Sequence, residues 1–191
     1  QVGKLVSERL AVTDPQNVRT DGHEIISRIS ANREGAPQIV TTNFDHLFEY
    51  AIKKNPVEKY VPPTFPDLQH DVPVTGITYL HGRLSEHAAD RYDYVLSSSD
   101  FGRAYLAQGW ATSFIRQLLK KYIVVLLGYQ AEDPPVKYLL QGLNIGHGDS
   151  NKRLYAFDEG SADSIETKWQ DRGVTPIAYP QSEEHQALWE T

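Results

Sequence analysis

The sequence predicts an α/β domain built on a mostly parallel sheet. Three observations predict it. Strand-like and helical segments alternate along the chain, which implies right-handed crossovers between parallel strands. The run Tyr122-Ile123-Val124-Val125-Leu126-Leu127 is apolar throughout. It reads as a central strand buried on both faces, although a short buried helix shares that pattern. Polar residues or glycine stand just after three strands, where ligands of such sheets bind.

The elements follow in order. Gly22 to Ile29 has apolar residues at helical spacing, with Asp21 as N-cap. Gly35-Ala36-Pro37 ends that helix. Gln38-Ile39-Val40-Thr41-Thr42 is rich in β-branched residues and reads as a short buried strand. His46 to Lys54 reads as a helix with Leu47, Phe48, Ala51 and Ile52 on one face. Five prolines crowd residues 55–76, which predicts a long extended loop, a kind that is often functional. Ile77-Thr78-Tyr79-Leu80 is the next strand, stopped by His81-Gly82. Tyr92 to Leu96 reads as another. Ser99 or Asp100 caps a helical region from Phe101 to Leu106, and a second helix covers Ala111 to Lys120. After the apolar run, Asp133-Pro134-Pro135 opens a helix through Val136, Leu139 and Leu140. Gly146 to Ser150 is a turn. Arg153 to Phe157 is a strand, Ile165 to Gln170 a helix ended by Gly173, and Val174 to Tyr179 the last strand. Glu183 to Trp189 reads as a closing helix.

Composition bounds the function. The chain has 191 residues, 40% of them hydrophobic and 23% charged, which fits one globular domain over 1–191 with a substantial core. A net charge of −6 argues against a surface built for nucleic-acid backbone. No apolar run approaches the roughly 20 residues that span a membrane. There are no cysteines, which excludes disulfides, a thiol nucleophile and zinc held by thiolates within this chain. That composition fits a reducing, cytoplasmic compartment. No metal-ligand set is found. The chain starts at Gln1 and contains no Met, as expected of a domain cut from a longer protein.

Three segments carry the chemistry. Thr41-Thr42-Asn43-Phe44-Asp45 resembles a motif of the sirtuin-like NAD-binding superfamily. His81-Gly82 matches the next motif, a histidine after a strand. Gly128-Tyr129-Gln130-Ala131-Glu132-Asp133-Pro134 resembles the glycine-containing loop after a later strand. Their order and spacing agree with the family over roughly residues 20 to 180. The likeness is to divergent bacterial sirtuin-like domains, often fused to other modules in anti-phage systems. It implies a Rossmann-like three-layer fold. It also implies hydrolysis of NAD to nicotinamide and ADP-ribose, NAD being the substrate and no metal being needed. A homo-oligomer and fused or associated defence modules are the expected partners, with neither nucleic acid nor membrane.

The resemblance implies roles for individual residues. Asn43 and His81 are the catalytic pair, and Thr42, Asn43, Asp45 and Gly128 bind the dinucleotide. A neutral histidine can polarise or deprotonate a ribose hydroxyl near its operating pH. An Asn amide donates and accepts, so it can hold water beside the anomeric carbon and bond the ribose. Asp45 would accept from the nicotinamide carboxamide. Bland readings stand beside these. Asn43 or Asp45 caps the helix from His46, His81 is an ordinary strand-end histidine, and Gly128 only permits a tight turn. His46 belongs to the helix surface. The family's N-terminal strand and glycine-rich phosphate loop are not found. Val2-Gly3-Lys4 is no substitute, so the chain is expected to be N-terminally incomplete. Two other functions remain open: an NAD-dependent protein deacylase, and an inactive sensor that binds NAD or ADP-ribose. The absence of cysteine removes the four-cysteine zinc module usual in deacylases.

Overall fold

The computed structural model describes residues 9–10, 17–52, 57–68, 74–85, 94–128, 137–138, 140–141 and 153–189. It divides into two compact units, with the boundary between Phe101 and Gly102. The architecture is α/β, and every named strand pairing is parallel.

The first unit opens with α1 (Asp21–Ile29). Asp21 and Glu24 lie in its first turn and Arg28 in its last, a charge order that suits the helix dipole. Thr20, not Asp21, is the N-cap. Its hydroxyl bonds the Glu24 carboxylate at 3.3 Å, and its carbonyl accepts from the Glu24 amide at 2.8 Å. Strand β1 (Gln38–Thr41) follows, with Ile39 and Thr41 on its buried side. Helix α2 (Leu47–Ala51) is shorter than the expected 46–54. Residues 53 and 54 lie outside the described residues.

The proline-rich stretch hides a strand. β2 (Lys59–Tyr60) pairs with β3 (Gly76–Tyr79), so the expected loop is an edge of the sheet. The order is β1-β3-β2. Thr41 stands opposite Tyr79, and Tyr60 opposite Thr78. Ile39, Ile77 and Tyr79 form a core cluster, with Phe48, Ile52, Val57 and Val61 packed on it. Burial of each such aliphatic side chain is worth about 1.5–3 kcal/mol, enough to hold a short ladder in register. Gly76 permits the close approach of β2 to β3. Its φ is +104°, and a Cβ there would lie 2.3 Å from the Glu58 carbonyl oxygen.

Tyr94–Leu96 is not a strand. It is tied to the unit by the Val95 amide, which donates to the His81 carbonyl at 2.9 Å. Short helix α3 (Ser98–Gly102) spans the boundary between the units. Asp100 caps its start from inside, accepting from the Ser97 amide at 2.9 Å.

In the second unit a wider π turn (Arg103–Ala107) precedes α4 (Trp110–Lys121). α4 starts from Gly109 in the left-handed region and ends on Lys120 and Lys121, which suit its C-terminus. Then come β4 (Val124–Leu126), β5 (Leu154–Glu159), α5 (Ala162–Trp169), β6 (Thr175–Tyr179) and α6 (Gln186–Trp189). The ladder order is β4-β5-β6. The Ser161 hydroxyl caps α5 by accepting from the Ser164 amide. Trp169 is buried and donates from Nε1 to Asp158 Oδ2 at 2.8 Å. Lys168 Nζ reaches the same oxygen at 2.6 Å.

Two expectations need correction. The apolar run was expected to be a central strand buried on both faces. Among the described residues β4 pairs only with β5, and Ile123 and Val125 are exposed. Apolar content alone does not distinguish an edge strand from a central one. The segments 39–40, 78–80, 123–127 and 154–157 were also expected in one sheet. The described ladders place the first two in one three-stranded sheet and the last two in another. The expected helix opening at 133–135, the turn at 146–150 and residues 129–134 of the glycine loop lie outside the described residues.

Candidate active site

The site is built where β1 and β3 end. Both strands run in the same direction as neighbours, so their C-terminal ends open on one edge. β1 delivers Thr42, Asn43 and Asp45 to that edge. β3 delivers His81. The two exits are tied together by the chain itself. The Leu80 amide donates to the Thr41 carbonyl at 2.8 Å, and the Leu84 amide to the Phe44 carbonyl at 2.8 Å. His46 Nε2 donates to the Leu84 carbonyl at 3.0 Å. His46 is half-buried at the start of α2, and this bond ties the helix start to the chain after His81.

The loop after β1 is shaped by its own side chains. The Asn43 amide donates to Thr41 Oγ1 at 3.1 Å, a tight local turn. The Asn43 side chain is exposed and Thr42 is half-buried. Asp45 Oδ1 accepts from the Leu47 amide at 3.0 Å, satisfying one of the open N–H groups at the start of α2. The N-cap position itself is His46, which makes no side-chain cap bond, so Asp45 serves the helix start from one residue earlier. It uses one carboxylate oxygen, and a carboxylate has lone pairs for further partners.

The turn after β3 is buried. His81 is only 5% exposed, and its ring meets the Phe101 ring edge-on, with centroids 5.1 Å apart. Gly82 has φ +108°, the left-handed region that favours glycine, so the chain turns sharply straight after the histidine. Gly128 follows β4 in the second unit with φ +63°, and a Cβ there would meet no atom of the described residues within 4 Å. Its conformation fits the tight-turn reading.

Beside this turn lies an ion cluster that the motifs did not reveal. Glu49 on α2 receives Arg83 through Nε at 2.5 Å and Nη2 at 2.7 Å, a two-pronged bond. The Tyr79 hydroxyl donates to the same carboxylate at 2.6 Å, and Lys59 Nζ lies 3.3 Å away. Arg83 is 5% exposed. Burial pushes the Glu49 carboxyl up, but hydrogen bonds from Arg83 and Tyr79 and the Arg83 charge outweigh it and hold the group at about 2. Burial and the bond to Glu49 push the Tyr79 hydroxyl well above its ordinary range. Both groups keep fixed protonation states near neutrality.

His23 on α1 is a second residue the motifs passed over. Its ring meets Phe48 edge-on at 4.7 Å. Burial lowers its pKa, and the Asp45 charge partly opposes that. Among the described residues no group of three or more His, Asp or Glu side chains gathers in a way that could hold a metal ion. Nor is any described helix long and apolar enough to cross a membrane.

Comparison with known proteins matches residues 37–177 to the SIR2-like domain family. The match includes the Asn43 loop, the His81 turn and Gly128. The "Uncharacterized protein y4cA" of Sinorhizobium fredii (strain NBRC 101917 / NGR234) is 34% identical over 180 residues. That similarity covers 86% of this chain but 15% of the relative, so the chain spans a small part of that protein's length. The parallel α/β architecture is consistent with the Rossmann-like fold of the family. With its site motifs inside the matched region, the chain belongs to the SIR2-like domain family, whose members are typically NAD-dependent enzymes.

Proposed function

We propose that this domain cleaves NAD to nicotinamide and ADP-ribose, with water as the acceptor. One observation carries the reading. In a SIR2-like chain, the Asn43 loop and the His81 turn leave adjacent parallel strands and are bonded backbone to backbone. The residues suit the substrate: an exposed Asn amide, a carboxylate at Asp45 and a histidine on one strand edge match ribose hydroxyls and a carboxamide.

The bond between the nicotinamide nitrogen and the ribose anomeric carbon breaks, and its electron pair goes to the pyridinium nitrogen. A water oxygen bonds the anomeric carbon and its proton leaves to solvent. His81 accepts from, or deprotonates, a ribose hydroxyl and so stabilises the developing positive charge. Asn43 holds the water and the ribose in line, which avoids much of the entropic cost of the encounter. Asp45 accepts from the nicotinamide carboxamide, while Thr42 and Gly128 contact the dinucleotide. No cysteine is present for a four-cysteine zinc module, which favours water over acyl-lysine as acceptor.

The test is nicotinamide release by the protein, with and without an acylated peptide. Release without peptide is expected, and His81→Ala lowers it about 10²–10⁴-fold. Full cleavage by a folded His81→Ala variant refutes the mechanism, and dependence on the peptide turns the reading to a deacylase. Binding without release leaves the sensor. We extend the reading to an antiviral effector acting in the cytoplasm as a homo-oligomer with further defence modules, on the likeness of the motifs to anti-phage domains. Cellular NAD should then fall during phage infection in cells carrying the wild-type protein and stay level with His81→Ala.

A further inference from the structure

The cluster around Glu49 has a specific relation to the turn that carries His81. Tyr79 lies two residues before the histidine and Arg83 two residues after it. Both bond the same carboxylate: Tyr79 through its hydroxyl to Oε1 at 2.6 Å, Arg83 to Oε1 at 2.5 Å and Oε2 at 2.7 Å. Glu49 itself sits on α2, the helix entered directly from the Asn43 loop. A single carboxylate thus grips the His81 turn from both ends and links it to the element that follows Asn43. A two-pronged arginine–carboxylate pair constrains direction as well as distance. The pair is well shielded, with side chains 7% and 16% exposed, so solvent does little to loosen it.

We propose that Glu49, with Tyr79 and Arg83 as its two arms, is the positioning residue for His81, holding its turn beside the Asn43 loop. This rests on the NAD-cleaving reading of the site. The clamp touches neither substrate nor reacting atoms. It acts by fixing the turn, and a catalytic group misplaced by about 1 Å can cost about 10²-fold in rate.

The experiment uses the wild-type protein and two variants that each loosen one arm. Tyr79→Phe keeps the buried ring and removes one hydroxyl. Arg83→Lys keeps the charge and removes the fork. Two readouts are taken below the melting temperature of both variants: steady-state nicotinamide release, and hydrogen–deuterium exchange of the peptide spanning 79–85. Each variant should lower kcat about 10-fold or more, leave KM for NAD within about threefold, and speed exchange in that peptide. Glu49→Asp, which keeps both acceptor oxygens, should retain more activity than Glu49→Gln at matched stability. A merely structural cluster would lower the melting temperature and leave kcat of the folded enzyme unchanged. Unchanged exchange at 79–85, or normal kcat in both folded variants, overturns the proposal. If the wild-type protein releases no nicotinamide, the NAD-cleaving reading fails by itself. The exchange arm then still decides whether Glu49 fixes the turn.

Discussion

Asp45 shows how one residue holds a structural and a chemical reading at once. Its Oδ1 caps α2 through the Leu47 amide at 3.0 Å. Replacement by Ala removes that acceptor and should cost about 1 kcal/mol of stability, measured by urea unfolding. Replacement by Asn keeps an acceptor oxygen and should leave stability within about 0.5 kcal/mol. If the carboxylate also recognises nicotinamide, the Asn variant loses turnover while its unfolding midpoint holds. Normal turnover in Asp45→Asn would confine the residue to its cap. The sequence left both readings open because Asp serves both chemistries well. What it did not reveal was Glu49 as the partner of Arg83. A buried arginine demands an acceptor, but Glu49, Glu58 and Asp45 were all available and no local rule chooses among residues so far apart.

At the scale of elements, the ladder and the clamp make separate predictions. Glu49 has its folded pKa depressed to about 2, below the roughly 4.3 of a free glutamate. A depressed acid contributes stability that is fully present above the unfolded value and is lost as pH falls through the folded one. The loss should therefore run from about pH 5 down to about pH 2, and amount to something on the order of 2 kcal/mol after allowance for partial solvent screening. Urea unfolding of wild type and Glu49→Gln across that range checks it. The wild type should lose its advantage as the acid limb is descended, and parallel curves would sink the idea. Gly76→Ala tests the β2–β3 contact. A Cβ would meet the Glu58 carbonyl at 2.3 Å on a backbone with φ +104°, so the loss should exceed about 1 kcal/mol, read from thermal unfolding. This junction was invisible in the sequence. Two residues, Lys59 and Tyr60, are too few to show alternation, and the surrounding prolines read as loop.

At the scale of the whole molecule, the order of parallel strands and helices was legible because period and punctuation agree across the chain. Gln38–Thr41, Gly76–Tyr79, Leu154–Glu159 and Thr175–Tyr179 all lie within a residue or two of the expected strands. Pairing was less legible. Strand neighbours are chosen by contacts between distant segments, which is why Val124–Leu126 reads as central yet, among the described residues, stands at the end of its ladder. The same limit applies to Gly128, whose motif reading needs a partner from elsewhere in the chain. Its surroundings allow a clean trial. Among the described residues a methyl group at Gly128 meets nothing within 4 Å, which leaves the strain of φ +63° as the cost of Gly128→Ala. That strain is about 1 kcal/mol, a shift of a few degrees in Tm. A glycine that merely turns the chain would show this shift and no change in kinetics. A glycine against which the dinucleotide lies would lose close approach to its ligand. We expect the second result: KM for NAD up about 10-fold or more, kcat little changed, and Tm lower by only those few degrees. An unaltered KM would return Gly128 to its role as a turn and leave the dinucleotide to be held by Asn43, Thr42 and Asp45.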